Sequence, residues 1–122
     1  GVSRTSKTPL SMYLAHKGLK VANVPMVPEI SPPEQLFEVS PDRIVGLIIN
    51  QTKLYNIRRE RLKVMGLGQN ASYANIERIL EELEYAKSLM NKLKCPIIDV
   101  SNRAIEETAN KVLEIAGKNR LL

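Results

Sequence analysis

The stretch Arg43 to Asn50, RIVGLIIN, constrains the fold more than any other part of the chain. It is near-continuously apolar, rich in β-branched residues and broken by one glycine. That pattern predicts a strand covered on both faces, as in a parallel sheet with helices above and below it. Such a strand belongs at the centre of a domain. The flanking pattern fits this placement. Leu10, Tyr13, Leu14 and Lys17 recur at helical spacing ahead of Gly18, which can end the helix in a left-handed cap. Lys20 to Val27 reads as a second strand, Pro28 to Pro33 as an extended connection, and Glu34 to Val39 as a short helical turn before the punctuation of Pro41 and Asp42.

After Asn50 the helical period returns in Leu54, Ile57, Arg58, Arg61 and Leu62, up to a break at Gly66 and Gly68 with turn residues Asn70 and Ser72 behind it. A longer helix follows, with an apolar stripe of Ile76, Ile79, Leu80, Leu83, Ala86, Met90 and Leu93 that reads as core or subunit contact. Glu77, Glu81, Glu82 and Lys92 are expected outside it. Pro96 closes this helix, and Ile97 to Val100 reads as a short buried strand. Ser101 or Asn102 can cap a last helix that keeps Ile105, Ala109, Val112, Leu113 and Ala116 on one face until Gly117 ends it. Strands alternating with helices predict an α/β domain with a mostly parallel sheet.

At 122 residues the chain is one domain at most, or part of one. A hydrophobic content of 43% with 25% charged residues allows a packed core and argues against disorder. The longest apolar run, Ile44 to Ile49, is far short of the roughly 20 residues of a membrane span, and Gly1 to Pro9 lacks the basic head and apolar run of a secretory signal. The one cysteine, Cys95, cannot form an internal disulfide or a cysteine zinc cluster and fits a reducing compartment, so the cytoplasm is the expected location. A net charge of +5 favours anionic partners.

The first eight residues, Gly1-Val2-Ser3-Arg4-Thr5-Ser6-Lys7-Thr8, fit G-x-x-x-x-[G/S]-K-[S/T], the phosphate-binding loop with Ser6 where a second glycine usually stands. Each position has a physical task. Gly1 allows the tight turn out of a strand, and successive N–H groups from Val2 to Thr8 can converge on phosphate oxygens at the positive end of the next helix. Lys7 would neutralise phosphate charge and the Thr8 hydroxyl would ligate Mg²⁺. Pro9 suits a first helical turn but disfavours helical dihedrals at Thr8, which predicts a helix starting one residue late. A polar arm with a capping Thr-Pro is the other account of these residues. A phosphate-binding loop follows a strand, so the pattern predicts that the central strand lies upstream, in a longer protein.

GVSRTSKTP at 1 to 9, NVPMVP at 23 to 28, VGLIIN at 45 to 50, IRRERL at 57 to 62 and PIIDVSNRAIEETA at 96 to 109 together resemble the pyruvate, phosphate dikinase regulatory protein family, whose sister branch regulates phosphoenolpyruvate synthase. The serine at position 6 belongs to that resemblance. The likeness covers only the C-terminal half of such proteins, so residues 1–122 are read as a C-terminal P-loop kinase-like domain: three layers around a mostly parallel sheet, lacking the first, pre-loop strand. The resemblance implies a bifunctional enzyme. One activity is an ADP-dependent kinase that inactivates the dikinase by phosphorylating a threonine beside its catalytic histidine. The other is a phosphate-dependent removal of that group, releasing pyrophosphate. It also implies nucleotide contacts at Gly1 to Thr8, with the dikinase favoured over the synthase as partner; a homo-oligomer is left open.

Phosphoryl transfer needs charge neutralisation, a metal anchor and a positioned nucleophile. Arg58 and Arg61, three apart on one helix, are candidates to fork over the phosphates with Arg59 turned aside; a solvated basic face paired with Glu60 is the alternative. The central strand ends in Asn50 where a metal-anchoring acid would stand, which leaves Asp99, at the end of the other apolar strand, as the candidate metal-linked acid or else a capping or core-bonded aspartate. His16 reads as a helix-terminal cation, Cys95 as a small buried side chain, and Gly66 and Gly68 as a helix terminator or a lid hinge. Two rivals remain. A small-molecule kinase of the nucleotide or shikimate type shares the loop, and a basic nucleic-acid module is disfavoured by the lack of aromatics for stacking.

Overall fold

The computed structural model describes residues 1, 5, 7–66 and 75–120, with the side chains of 118–120 excepted. In chain order the elements are α1 (Lys7–His16), a four-residue α2 (Gln35–Glu38), a 3-10 turn (Pro41–Arg43), β1 (Gly46–Ile48), α3 (Gln51–Val64), α4 (Ile76–Leu93), β2 (Ile97–Asp99) and α5 (Ile105–Arg120). β1 and β2 pair in parallel with Gly46 opposite Ile97, Leu47 opposite Ile98 and Ile48 opposite Asp99.

β1 is covered on both faces, as its composition predicts. Leu47 packs with Leu10 and Leu14 of α1, Ile98 of β2 and Ala109 of α5. On the other face Gly46 meets Met90, and Ile48 packs against a cluster of Ile49, Leu54 of α3 and Ile79, Leu83, Ala86, Met90 and Leu93 of α4. Helices therefore lie on both sides of the two strands, in three layers. Each fully buried Leu, Ile or Met contributes about 1.5–3 kcal/mol relative to exposure, so these two clusters dominate the fold's stability. Gly46 is where α4 meets β1 most closely: a Cβ there would fall 2.5 Å from Met90 Sδ and 2.9 Å from its Cγ.

Helix boundaries follow local chemistry. Asn50 caps α3, its side chain accepting from the N–H groups of Thr52 at 2.9 Å and Lys53 at 3.2 Å. Asn75 caps α4 in the same way through Glu77 and Arg78. Gly18 and Gly66 take positive φ just past α1 and α3, so Gly66 is a helix terminator; Gly68, Asn70 and Ser72 lie outside the described residues. Ile79, Ala86 and Met90 of the α4 stripe are buried to 1% exposure or less, whereas Ile76 and Leu80 at its start stay exposed.

Several expectations are corrected. Lys20 to Val27 forms no regular strand: among the described residues it has an isolated antiparallel bridge between Val27 and Ile30 and backbone bonds to Gly1 on either side of Pro25, which has no N–H. β2 is half-exposed rather than buried: Ile98 faces inward, and Ile97 and Asp99 face outward at the sheet edge. α1 begins at Lys7 and includes Thr8, since Pro9 at its third position loses only an N–H that a first turn leaves unpaired anyway. α5 starts after Ala104, whose carbonyl accepts from Thr108 N–H at 3.1 Å, so neither Ser101 nor Asn102 caps it; the helix also runs through Gly117 to Arg120. Glu82, expected outside, is buried at 6% exposure.

Candidate phosphate-binding site

The described part of the octapeptide sits against the sheet. Gly1 N donates to Val24 O at 3.2 Å, and Met26 N–H donates to Gly1 O at 3.0 Å. A Cβ on Gly1 would lie 2.8 Å from Thr5 Oγ1 and 3.0 Å from Leu47 O, so only glycine allows the chain to pass this close to β1. Thr5 is 1% exposed and lines a small cavity with Leu10, Val100, Arg103, Ile105 and Thr108, beside the connection that leaves the carboxyl end of β2. Lys7 is half-buried in the first turn of α1, and Thr8 is exposed on that turn. Val2, Ser3, Arg4 and Ser6 lie outside the described residues.

The carboxyl ends of β1 and β2 are tied by a chain of hydrogen bonds. Asn50 N–H donates to the Ser101 hydroxyl at 2.6 Å, and that hydroxyl donates to Asp99 Oδ1 at 2.5 Å, with Ser101 N–H on the same oxygen at 2.8 Å. These bonds from Ser101 hold the Asp99 carboxyl below the ordinary aspartate range, with the charges of Arg103 and Lys87 adding to the effect. Lys53 Nζ reaches Asn102 Oδ1 at 3.4 Å across the same end. In open parallel sheets this end, where strands run into helix N-termini, is where ligands are held. Ser101, Asn50 and Arg103 were not singled out as site residues by sequence; the usable signal is their position directly after an apolar strand.

The structure separates the two arginines expected to act together. Arg58 is 1% exposed, and its Nη1 donates to Glu82 Oε2 at 2.5 Å within the α3–α4 interface. Arg61 is exposed one turn further on. Arg59 stacks over Tyr55 with 5.5 Å from its guanidinium carbon to the ring centroid, and Glu60 pairs with Lys63 at 3.5 Å rather than with an arginine. Glu82 also draws Arg78, which forks onto Glu29 through Nη1–Oε1 and an Nη2–Oε2 bond of 2.7 Å. Cys95 is buried, which pushes its thiol up, and its Sγ contacts Met90 O at 3.8 Å. His16 is exposed in the last turn of α1.

Among the described residues no three His, Cys, Asp or Glu side chains gather into a metal cage. Among the described residues no helix is long and apolar enough to cross a membrane.

Helices packed on both faces of a small parallel sheet define an α/β domain, consistent with part of a P-loop kinase-like one. The chain belongs to the kinase/pyrophosphorylase family, which matches residues 1–113. It is 66% identical over 115 residues to a protein of Syntrophomonas wolfei named "Putative pyruvate, phosphate dikinase regulatory protein 2", covering 94% of this chain and 42% of that protein. Like-named proteins of Alkaliphilus oremlandii and Carboxydothermus hydrogenoformans are each 64% identical, over 94% and 97% of this chain and 42% and 43% of theirs. The chain therefore spans about two fifths of the length of the curated relatives it matches.

Proposed function

We propose that the full-length protein is a bifunctional regulator of pyruvate, phosphate dikinase or of phosphoenolpyruvate synthase. In one direction it transfers the terminal phosphoryl group of ADP to a threonine hydroxyl of the target, leaving AMP. In the other, inorganic phosphate attacks the phosphothreonine, so that pyrophosphate leaves and the hydroxyl is restored. The observation that carries this reading is the family match across residues 1–113, which includes the loop opening α1. The names of the relatives point to the dikinase as target.

In this reading the ammonium of Lys7 offsets the charge of the phosphoryl group, and the amides from Val2 to Thr8 hold its oxygens. Bound Mg²⁺ would supply further charge neutralisation, and the residues that would hold it are Thr8, through its hydroxyl, and Asp99, whose carboxylate accepts from Ser101. Arg61, exposed on α3, is the candidate donor to the transferred group. Arg58 acts through its pair with Glu82, fixing α3 so that Arg61 and the Asn50 cap keep their places; it is a positioning residue.

The test incubates the full-length protein with pyruvate, phosphate dikinase and ADP, and reads phosphothreonine on the target by mass spectrometry. The expected result is one phosphothreonine with stoichiometric AMP, reversed by phosphate with release of pyrophosphate. Transfer from ADP to small hydroxyl acceptors with none to the protein would refute it.

A further inference from the structure

The carboxyl ends of β1 and β2 are approached from two sides. On the α1 side, a Cβ on Gly1 would lie 3.0 Å from Leu47 O of β1, whereas Thr5 lines a cavity with Val100 and Arg103, just past β2. Gly1 thus stands at one strand and Thr5 at the other. On the α3 side a single cation reaches across the same two ends. Lys53 sits in the first turn of α3, which leaves the end of β1, and its Nζ donates to Asn102 Oδ1, past the end of β2, at 3.4 Å.

A bond of that length is weak, and an ammonium carries three N–H donors, so most of the hydrogen-bonding capacity of this exposed side chain is turned to solvent. Among the described residues no carboxylate pairs with it. Asp99, which ends β2, is engaged by the hydroxyl and the N–H of Ser101. The positive end of a helix dipole disfavours a cation in the first turn, and α3 has no acid there to offset it. The N–H groups of Thr52 and Lys53 are already taken by the Asn50 side chain, so what this turn offers a ligand is the side-chain ammonium rather than its backbone. A cation held against the local field, with one neutral partner, gains most from an anion that arrives between the strand ends. Along α3, Lys53 stands roughly 12 Å nearer to those ends than Arg61.

We infer that Lys53 is a second cation on the transferred phosphoryl group: Lys7 meets the group from the loop side and Lys53 from the α3 side, with the strand ends beneath. The inference rests on the proposed activity. In the forward direction the threonine oxygen bonds to the terminal phosphorus of ADP, and the bond from that phosphorus to the bridging oxygen breaks. The electron pair stays on AMP and the hydroxyl proton passes to water. In reverse, an oxygen of hydrogen phosphate bonds to the phosphorus of the phosphothreonine, and the threonine oxygen leaves with the electron pair and takes up the proton of hydrogen phosphate. Charge on the oxygens of the moving group has to be offset in both directions. Two ammonium groups on opposite sides do this and hold the group in line between donor and acceptor.

Titration calorimetry of ADP and of AMP into the full-length protein tests the inference without the target enzyme. AMP lacks the transferred group, so Lys53→Met should weaken ADP binding roughly 10-fold and change AMP binding by less than about 2-fold. Lys53→Arg keeps the charge and should retain most of the preference for ADP. Lys63→Met removes the same charge from the far end of α3, where Lys63 pairs with Glu60, and should leave both affinities as in the parent. Unchanged ADP affinity in Lys53→Met, or an equal loss for ADP and AMP, would overturn the inference and leave the proposed activity standing. A parent with no affinity for ADP would refute that activity and the inference with it.

Discussion

Replacing Glu82 with alanine in the full-length protein should be among the most damaging single changes outside the phosphate loop. The Arg58 side chain is 1% exposed and that of Glu82 is 8% exposed, with Nη1 and Oε2 2.5 Å apart. Removing the carboxylate takes away the anion that meets Arg58 Nη1 inside the α3–α4 interface. Breaking a buried pair in this way costs about 3–5 kcal/mol, whereas an exposed pair is worth ~1 kcal/mol or less. Arginine cannot escape by losing its proton. Against a total domain stability of about 5–15 kcal/mol the loss takes roughly a fifth or more of the margin. Urea unfolding followed by circular dichroism would measure it as a lower midpoint at unchanged slope. The double variant Arg58→Met/Glu82→Leu, which fills the volume without charge, should recover to within ~1–2 kcal/mol of the parent. A cost below ~1 kcal/mol for Glu82→Ala would refute the reasoning, because it would mean that water reaches the pair.

Two further outcomes follow from the ends of the strands. Asn50→Ala removes a side chain that accepts from Thr52 and Lys53 N–H and should cost about 1 kcal/mol in thermal or urea unfolding, with Asn50→Asp retaining most of it. Asp99 has a lowered pKa through its Ser101 bonds, so its contribution is complete above the ordinary aspartate value of about 4 and is lost as pH falls through the lower folded value. Asp99→Asn should therefore flatten the acid limb of the stability curve below about pH 4 and leave its neutral-pH shape unchanged; an unaltered acid limb would show that Ser101 does not favour the ionised form.

The residues that seek a buried surface were the legible part of this chain. RIVGLIIN announces a strand covered on both faces, and the stripe from Ile79 to Leu93 announces the helix that covers one of them. What sequence could not convey was pairing between distant segments. Residues 20–27 have the composition of a strand, but Pro25 and the single neighbour Gly1 leave the segment extended and unladdered. Glu82 and Arg58 each look solvent-facing in their own helix, and each is buried only because the other lies across the α3–α4 interface, 24 positions away. Asn50 ends the strand where a metal-anchoring acid would stand. It carries the standard signal of a helix cap, a short polar side chain directly ahead of a helical period, and it does that work here. Among the candidate site residues, Lys7 and Thr8 stand out by spacing alone, whereas the Asp99–Ser101–Asn50 chain joins two strand ends and has no linear signature.

The central claim is that the octapeptide Gly1 to Thr8, which runs into α1, binds the phosphates of a nucleotide, and isothermal titration of ADP into the full-length protein, with and without Lys7→Ala, tests it most directly. Losing a lysine ammonium from a phosphate contact removes a charge-assisted bond worth about 1.5–3 kcal/mol, so the variant should bind ADP roughly 10-fold to 150-fold more weakly while its unfolding midpoint stays that of the parent. Equal ADP affinity in parent and variant, with both fully folded, would contradict the account.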